Sequence, residues 1–158
     1  MFAVFLTVLF AFSGSAKEIT PKFKAIAVKT FTVARGAEAG PEFPDLLLPK
    51  LKAELKKSGV YERVVGSDEA LDPADAPKSL ALEGRLLEKI NGTFWDGALW
   101  GAGSERLKVH IVVRRLGDNE VVMEENVEVG LPEGWISSEV AEDLAKHIAR
   151  DLKKKLAK

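Results

Sequence analysis

The sequence predicts a single α+β domain with the element order β-α-β-β-β-β-α, in which two amphipathic helices pack on one face of a mixed, mostly antiparallel sheet. Three observations predict it. Leu47, Leu48, Leu51 and Leu55 recur at helical spacing, with lysines at 50, 52, 56 and 57 opposite. Val140, Leu144, Ile148, Leu152 and Leu156 do the same near the C-terminus. Between the two helices lies a long alternating hairpin around Gly117-Asp118-Asn119. A chain of 158 residues has room for one domain with a real hydrophobic core.

The elements follow in chain order. Lys22 to Thr32 carries apolar residues on both parities, which reads as a central strand. Gly36 to Gly40 is a loop, and Glu42 to Ser58 is the first helix. Pro44 suits its N-terminal end, Pro49 belongs near the first turn or kinks it, and Gly59 suits a left-handed C-terminal cap. Val60 to Val65 is a short strand. Gly66 to Lys78 holds Asp68, Glu69, Asp72 and Asp75 with Pro73 and Pro77, shows neither helical nor strand period, and reads as a loop.

Ser79 to Ile90 is the third strand, with Leu80, Leu82, Leu86 and Ile90 on one parity; Gly84 there marks a bulge or a close approach. Asn91-Gly92 signals a turn. In the hairpin, pairing Leu116 with Glu120 sets Leu107 against Val129, Val109 against Val127 and Val113 against Met123, with Lys108 against Glu128 on the other side. Glu125, opposite Ile111, breaks the apolar face and points to an edge strand or a local twist. Ser137 or Ser138 caps the last helix, which runs to about Lys155 and ends in lysines that complement its dipole.

Residues 1–16 read as a cleaved signal peptide and 17–158 as the mature domain. Phe2 to Phe12 is apolar except for Thr7, too short to span a bilayer, and is followed by small residues through Ala16. No Lys or Arg precedes the apolar run. The expected location is therefore periplasmic or secreted, with no membrane span after cleavage. With no cysteine, the chain has no disulfide, thiolate metal site or cysteine nucleophile, and no lipid-anchored N-terminal cysteine is expected. The 23 basic and 24 acidic residues nearly cancel, which argues against nucleic acid as a partner.

From Pro44 onward the chain resembles a bacterial exported family catalogued as domain-of-unknown-function family 4410. The matching pieces are Leu55-Lys56-Lys57-Ser58-Gly59-Val60-Tyr61, the strand Leu82-Glu83-Gly84-Arg85-Leu86, and a glycine-rich segment Gly97 to Ser104 ahead of the hairpin Leu107 to Val129. The pattern is also similar, at the level of fold, to the periplasmic activator lipoproteins of peptidoglycan synthases and to the curli secretion subunit. The resemblance implies an exported domain without known chemistry. Many members of these groups carry a lipidated cysteine, which is absent here.

Catalytic constellations are thin. His110 and His147 are the only histidines and lack ligand spacing, so no metal or other cofactor is expected. Gly-x-Ser-x-Gly and Ser-x-x-Lys are absent. Gly101-Ala102-Gly103-Ser104 lacks the lysine of a phosphate loop. Glu88 and Asp96 flank an aromatic segment, but nothing in the spacing fixes the separation that a carboxylate-dependent hydrolase needs. The lysine runs at 50–57 and 153–158 read as solvated helix faces.

The unusual feature is the segment Asn91 to Ser104, with Phe94, Trp95, Leu99 and Trp100 among glycines. Large aromatics on glycine-rich backbone form either a cap on the sheet core or a recognition surface. These four are the candidate partner-binding residues, with Trp95 expected to be the more exposed tryptophan and Trp100 the more buried. The expected function is a non-enzymatic module that binds another macromolecule, such as an envelope protein. The alternative is a subunit of a homo-oligomeric envelope assembly, and a carboxylate-dependent hydrolase is a distant third.

Overall fold

A computed structural model describes residues 23–35, 37, 41–90, 105–131 and 138–156. The elements are β1 (Phe23–Val33), α1 (Phe43–Ser58), β2 (Tyr61–Val65), a 3₁₀ turn (Pro73–Lys78), β3 (Ser79–Ile90), β4 (Glu105–Arg115), β5 (Val121–Leu131) and α2 (Ser138–Leu156). The strands form one sheet in the order β2-β1-β3-β4-β5. β1 runs parallel to both β2 and β3, while β3-β4 and β4-β5 form longer antiparallel ladders. The fold is thus the α+β arrangement the hydrophobic periods imply, and β1 is an inner strand as its two apolar parities require.

Both helices lie against the same side of the sheet. Leu47, Leu51 and Leu55 of α1, and Leu144, Ile148 and Leu152 of α2, are fully buried together with Ile26, Leu80, Leu82, Leu86, Leu107, Val109, Ile111 and Val113. Each such side chain removed from water stabilises by roughly 1.5–3 kcal/mol before entropy is counted. Gly59 adopts φ +68° at the end of α1, and its N–H reaches the Lys56 carbonyl at 3.3 Å. Pro49 lies inside α1 beyond its first turn, where its missing N–H leaves one helical hydrogen bond unmade.

Two details depart from the expected pattern. Gly66 to Lys78 contains a 3₁₀ turn: the Asp72 carboxylate accepts a hydrogen bond from the Ala74 N–H at 2.9 Å, and Pro73 occupies the first turn. Six residues are too few to show a period, although the Asp-Pro start signal is in the sequence. Second, the hairpin register holds from Leu107–Val129 to Val113–Met123 and then slips by one, so that Arg114 pairs with Val121. Arg115 rather than Leu116 donates to the Glu120 carbonyl, at 2.8 Å, because the Leu116 N–H is engaged by the Ser79 carbonyl at 2.9 Å.

The crossover from β1 to β2 carries α1. The crossover from β2 to β3 leads back across β1, and a connection of the same hand then runs on the opposite face. The 3₁₀ turn accordingly touches β1, β3 and β4 and neither helix. Beneath it Ala25, Ala27, Val65, Ser79 and Ala81 are buried on the parity that faces away from the helices.

Candidate functional site

Among the described residues, the 3₁₀ turn covers that second face over β1 and the adjoining ends of β3 and β4. Farther along the same face, a polar surface is built from register. Thr32 pairs with Arg85, Arg85 with His110 and His110 with Asn126, giving one row across four adjacent strands. The neighbouring row is Glu83, Val112 and Glu124. Thr32 joins its row because β1 bulges between Val28 and Phe31, which switches the parity of its second half. Strict alternation along β1 places Thr32 with the core instead, so this row was legible on β3, β4 and β5 and hidden on β1.

Lys29, Thr30, Thr32, Ser67, Arg85 and His110 line a depression of about 430 Å³ on this face, with Gly84 and Val112 also contributing. The His110 ring is held at both ends: Nδ1 lies 3.1 Å from Asn126 Oδ1, and Nε2 lies 3.2 Å from Glu124 Oε1. His147 Nδ1 sits 2.8 Å from the Asp143 carbonyl one turn back in α2. The His110 ring thus ties β4 to β5, while His147 bonds back onto its own helix. Among the described residues, no group of three histidine, aspartate or glutamate side chains converges as a metal site would require.

The acidic crossover is tied down by ion pairs. Lys24 Nζ reaches Asp75 Oδ1 at 2.9 Å, and that hydrogen bond raises the lysine pKa. Glu69 accepts from the Gly66 N–H at 2.9 Å and from Lys52 Nζ at 3.1 Å, and these contacts lower its pKa. The lysines of the two helices serve as ties more than as a bare basic face: Lys50 faces Glu142 at 3.9 Å, Lys153 donates to the Ser58 carbonyl at 3.3 Å, and Lys155 meets Glu125 at 2.6 Å.

A separate, smaller depression of about 320 Å³ lies at the β2 edge, lined by Lys56, Tyr61, Glu62, Arg63 and Glu69 among others. Tyr61 is only 6% exposed, and its hydroxyl has no hydrogen-bond partner among the described residues. Burial alone pushes that phenol above its ordinary pKa. Sequence reading placed β2 but gave no signal of an orphaned hydroxyl, because whether a tyrosine finds a partner depends on neighbours distant in the chain.

The sequence-derived candidates Phe94, Trp95, Leu99 and Trp100 lie outside the described residues, as do the proposed leader 1–16, Trp135 and Asp96. Glu88 is an exposed residue of β3, paired in register with Lys108.

Comparison with known proteins adds a fold and no family. No family model matches the chain, and no curated protein does. The resemblance to family 4410 is therefore carried by the quoted residues alone. Among solved structures, the chain is similar to the PelC dodecamer from Paraburkholderia phytofirmans, at 18% identity, covering 87% of this chain and 91% of that one, with a TM-score of 0.56. A single-substitution variant of that dodecamer gives 16% identity, 81% and 88% coverage and the same TM-score of 0.56. Lipoprotein GNA1162 from Neisseria meningitidis is similar at 10% identity, over 83% of this chain and 99% of that one, with a TM-score of 0.48. The likeness to the two dodecamer structures is one of fold, and it extends over 87% and 81% of this chain.

Proposed function

We propose that this protein is an exported, non-enzymatic module that works as one subunit of an assembly of its own kind in the bacterial envelope. The observation that carries the reading is the match of its fold, over 87% of the chain, to a protein solved as a dodecamer. One further feature supports it. Among the described strands the sheet is open at both ends of its order, offering the two unlike edges that a head-to-tail assembly requires. The export half of the reading rests on residues 1–16. Among the described residues, no helix is long and apolar enough to cross a membrane. Cell fractionation with intact-mass analysis tests export: the account expects an envelope or culture-medium species beginning near Lys17. A cytoplasmic product that retains Met1 contradicts it.

A second reading, binding of a different macromolecule, is favoured by the polar row Thr32, Arg85, His110 and Asn126 and the depression beside it, together with the aromatic candidates Phe94, Trp95, Leu99 and Trp100. Cross-linking in envelope extracts, comparing the natural chain with Arg85→Glu and Trp95→Ala, tests it. A cross-linked band that both substitutions weaken supports this reading, and a pattern that neither changes counts against it.

A further inference from the structure

We infer that the β2 edge of one copy docks against the β5 edge of the next, extending the sheet from subunit to subunit. The inference rests on the oligomeric reading above and names its surfaces. Two observations at β2 converge. No described strand lies beyond it, so one row of its backbone N–H and C=O groups has no ladder partner among the described residues. Arg63 and Lys56 stand exposed at the same depression, and neither closes an ion pair among the described residues.

Glu62 and Glu69 line the same depression, and Glu69 is already engaged by Lys52, so the charge left to match is that of Arg63 on the side away from the helices; an occupant that brings backbone hydrogen-bonding groups and carboxylates on that side fits it. β5 brings both. It is the opposite edge of the sheet, it is eleven residues long, and it carries Glu124, Glu125 and Glu128 with no lysine or arginine. Face also agrees. Arg63 pairs with Ala25 on the side of the sheet away from the helices, and Glu124 and Glu128 lie on that same side beside Val112 and Lys108. A sheet continued from copy to copy keeps its faces, so Arg63 of one subunit meets the Glu124 and Glu128 side of its neighbour. Their carboxylates are 58% and 40% exposed and available to a second cation despite their contacts with His110 and Arg106. Because the two edges differ, the contact is head-to-tail, and repeating it closes a ring or grows a filament.

Paired charge reversal on the mature chain tests this. One variant combines Lys56→Glu with Arg63→Glu, and the other combines Glu124→Lys with Glu128→Lys. All four positions are exposed, so urea midpoints should stay close to that of the natural chain. By sedimentation velocity each variant alone should self-associate at least about tenfold more weakly, since like charges then face each other at the contact. An equimolar mixture of the two should recover the assembly, because every contact again joins opposite charges. If the natural chain assembles and both variants assemble equally well, or if the mixture of two dissociated, folded variants fails to reassociate, the edge pairing is overturned while the oligomeric reading stands. A natural chain that stays monomeric overturns both.

Discussion

The ring of Phe31 occupies the space that a side chain on Gly84 would fill. The two residues are direct register partners on β1 and β3, and a β-carbon built on Gly84 falls within the Phe31 ring, far inside van der Waals contact. Phe31 is 1% exposed and reaches the helix side of the sheet only because β1 bulges just before it. The glycine in β3 and the bulge in β1 are thus two halves of one packing solution.

Gly84→Ala should therefore cost about 1–3 kcal/mol, as overpacked cores do. Phe31→Ala should cost about 3–5 kcal/mol by leaving a cavity. The double variant should cost less than the sum, since the new methyl enters space the ring has vacated. Urea midpoints of the three variants check this. Strict additivity would mean that the two residues do not compete for the same volume.

Tyr61 gives alkaline pH a grip on stability. Its phenol titrates near 10 in the unfolded chain and higher in the folded one, because burial disfavours the phenolate. The folded state thus holds its proton where the unfolded state has lost it. Stability from this group is complete below about pH 10 and falls as pH rises from there toward the folded value. Tyr61→Phe should remove that fall. At neutral pH it should leave the monomer as stable or raise its stability by about 1 kcal/mol, because an unsatisfied buried hydroxyl is deleted. Chemical denaturation at pH 7 and above pH 10 measures both effects. A loss of more than about 1 kcal/mol at neutral pH would show that the hydroxyl has a partner.

Glu125 breaks the apolar face of edge strand β5 and is met there by Lys155 at 2.6 Å from the last turn of α2. Both side chains are partly exposed, so Lys155→Met should cost no more than about 1 kcal/mol. Glu125→Val should leave stability equal or higher while making the protein more prone to indiscriminate aggregation, because an inward charge protects an edge. Light scattering beside a urea titration separates the two effects. A large loss of stability in Glu125→Val would show that the pair is needed for folding.

Much of the architecture was legible because it depends on period. The stripe Val140, Leu144, Ile148, Leu152 and Leu156 is buried as its spacing requires. The hairpin register from Leu107–Val129 to Val113–Met123 follows from matching apolar faces, and Glu125 does mark an edge. What period cannot show is a break in itself. The bulge after Val28 moved Thr32 onto the polar face, and the slip at Arg114 depends on a hydrogen bond from Leu116 to Ser79, 37 positions away in number but adjacent in space. The same holds for the candidate surfaces. That Arg63 closes no ion pair and the Tyr61 hydroxyl no hydrogen bond among the described residues is decided only once α1, β2 and the crossover are in place.

The central claim is that this chain works as a subunit of an assembly of its own kind. Sedimentation equilibrium of the purified mature protein, across concentrations up to about 100 µM, tests it most directly, because even a weak association is populated there. The account expects a mass that is a whole multiple of the protomer and falls toward one protomer on dilution or at high salt, as a contact with complementary charge should. A single protomer mass across the whole range would contradict it.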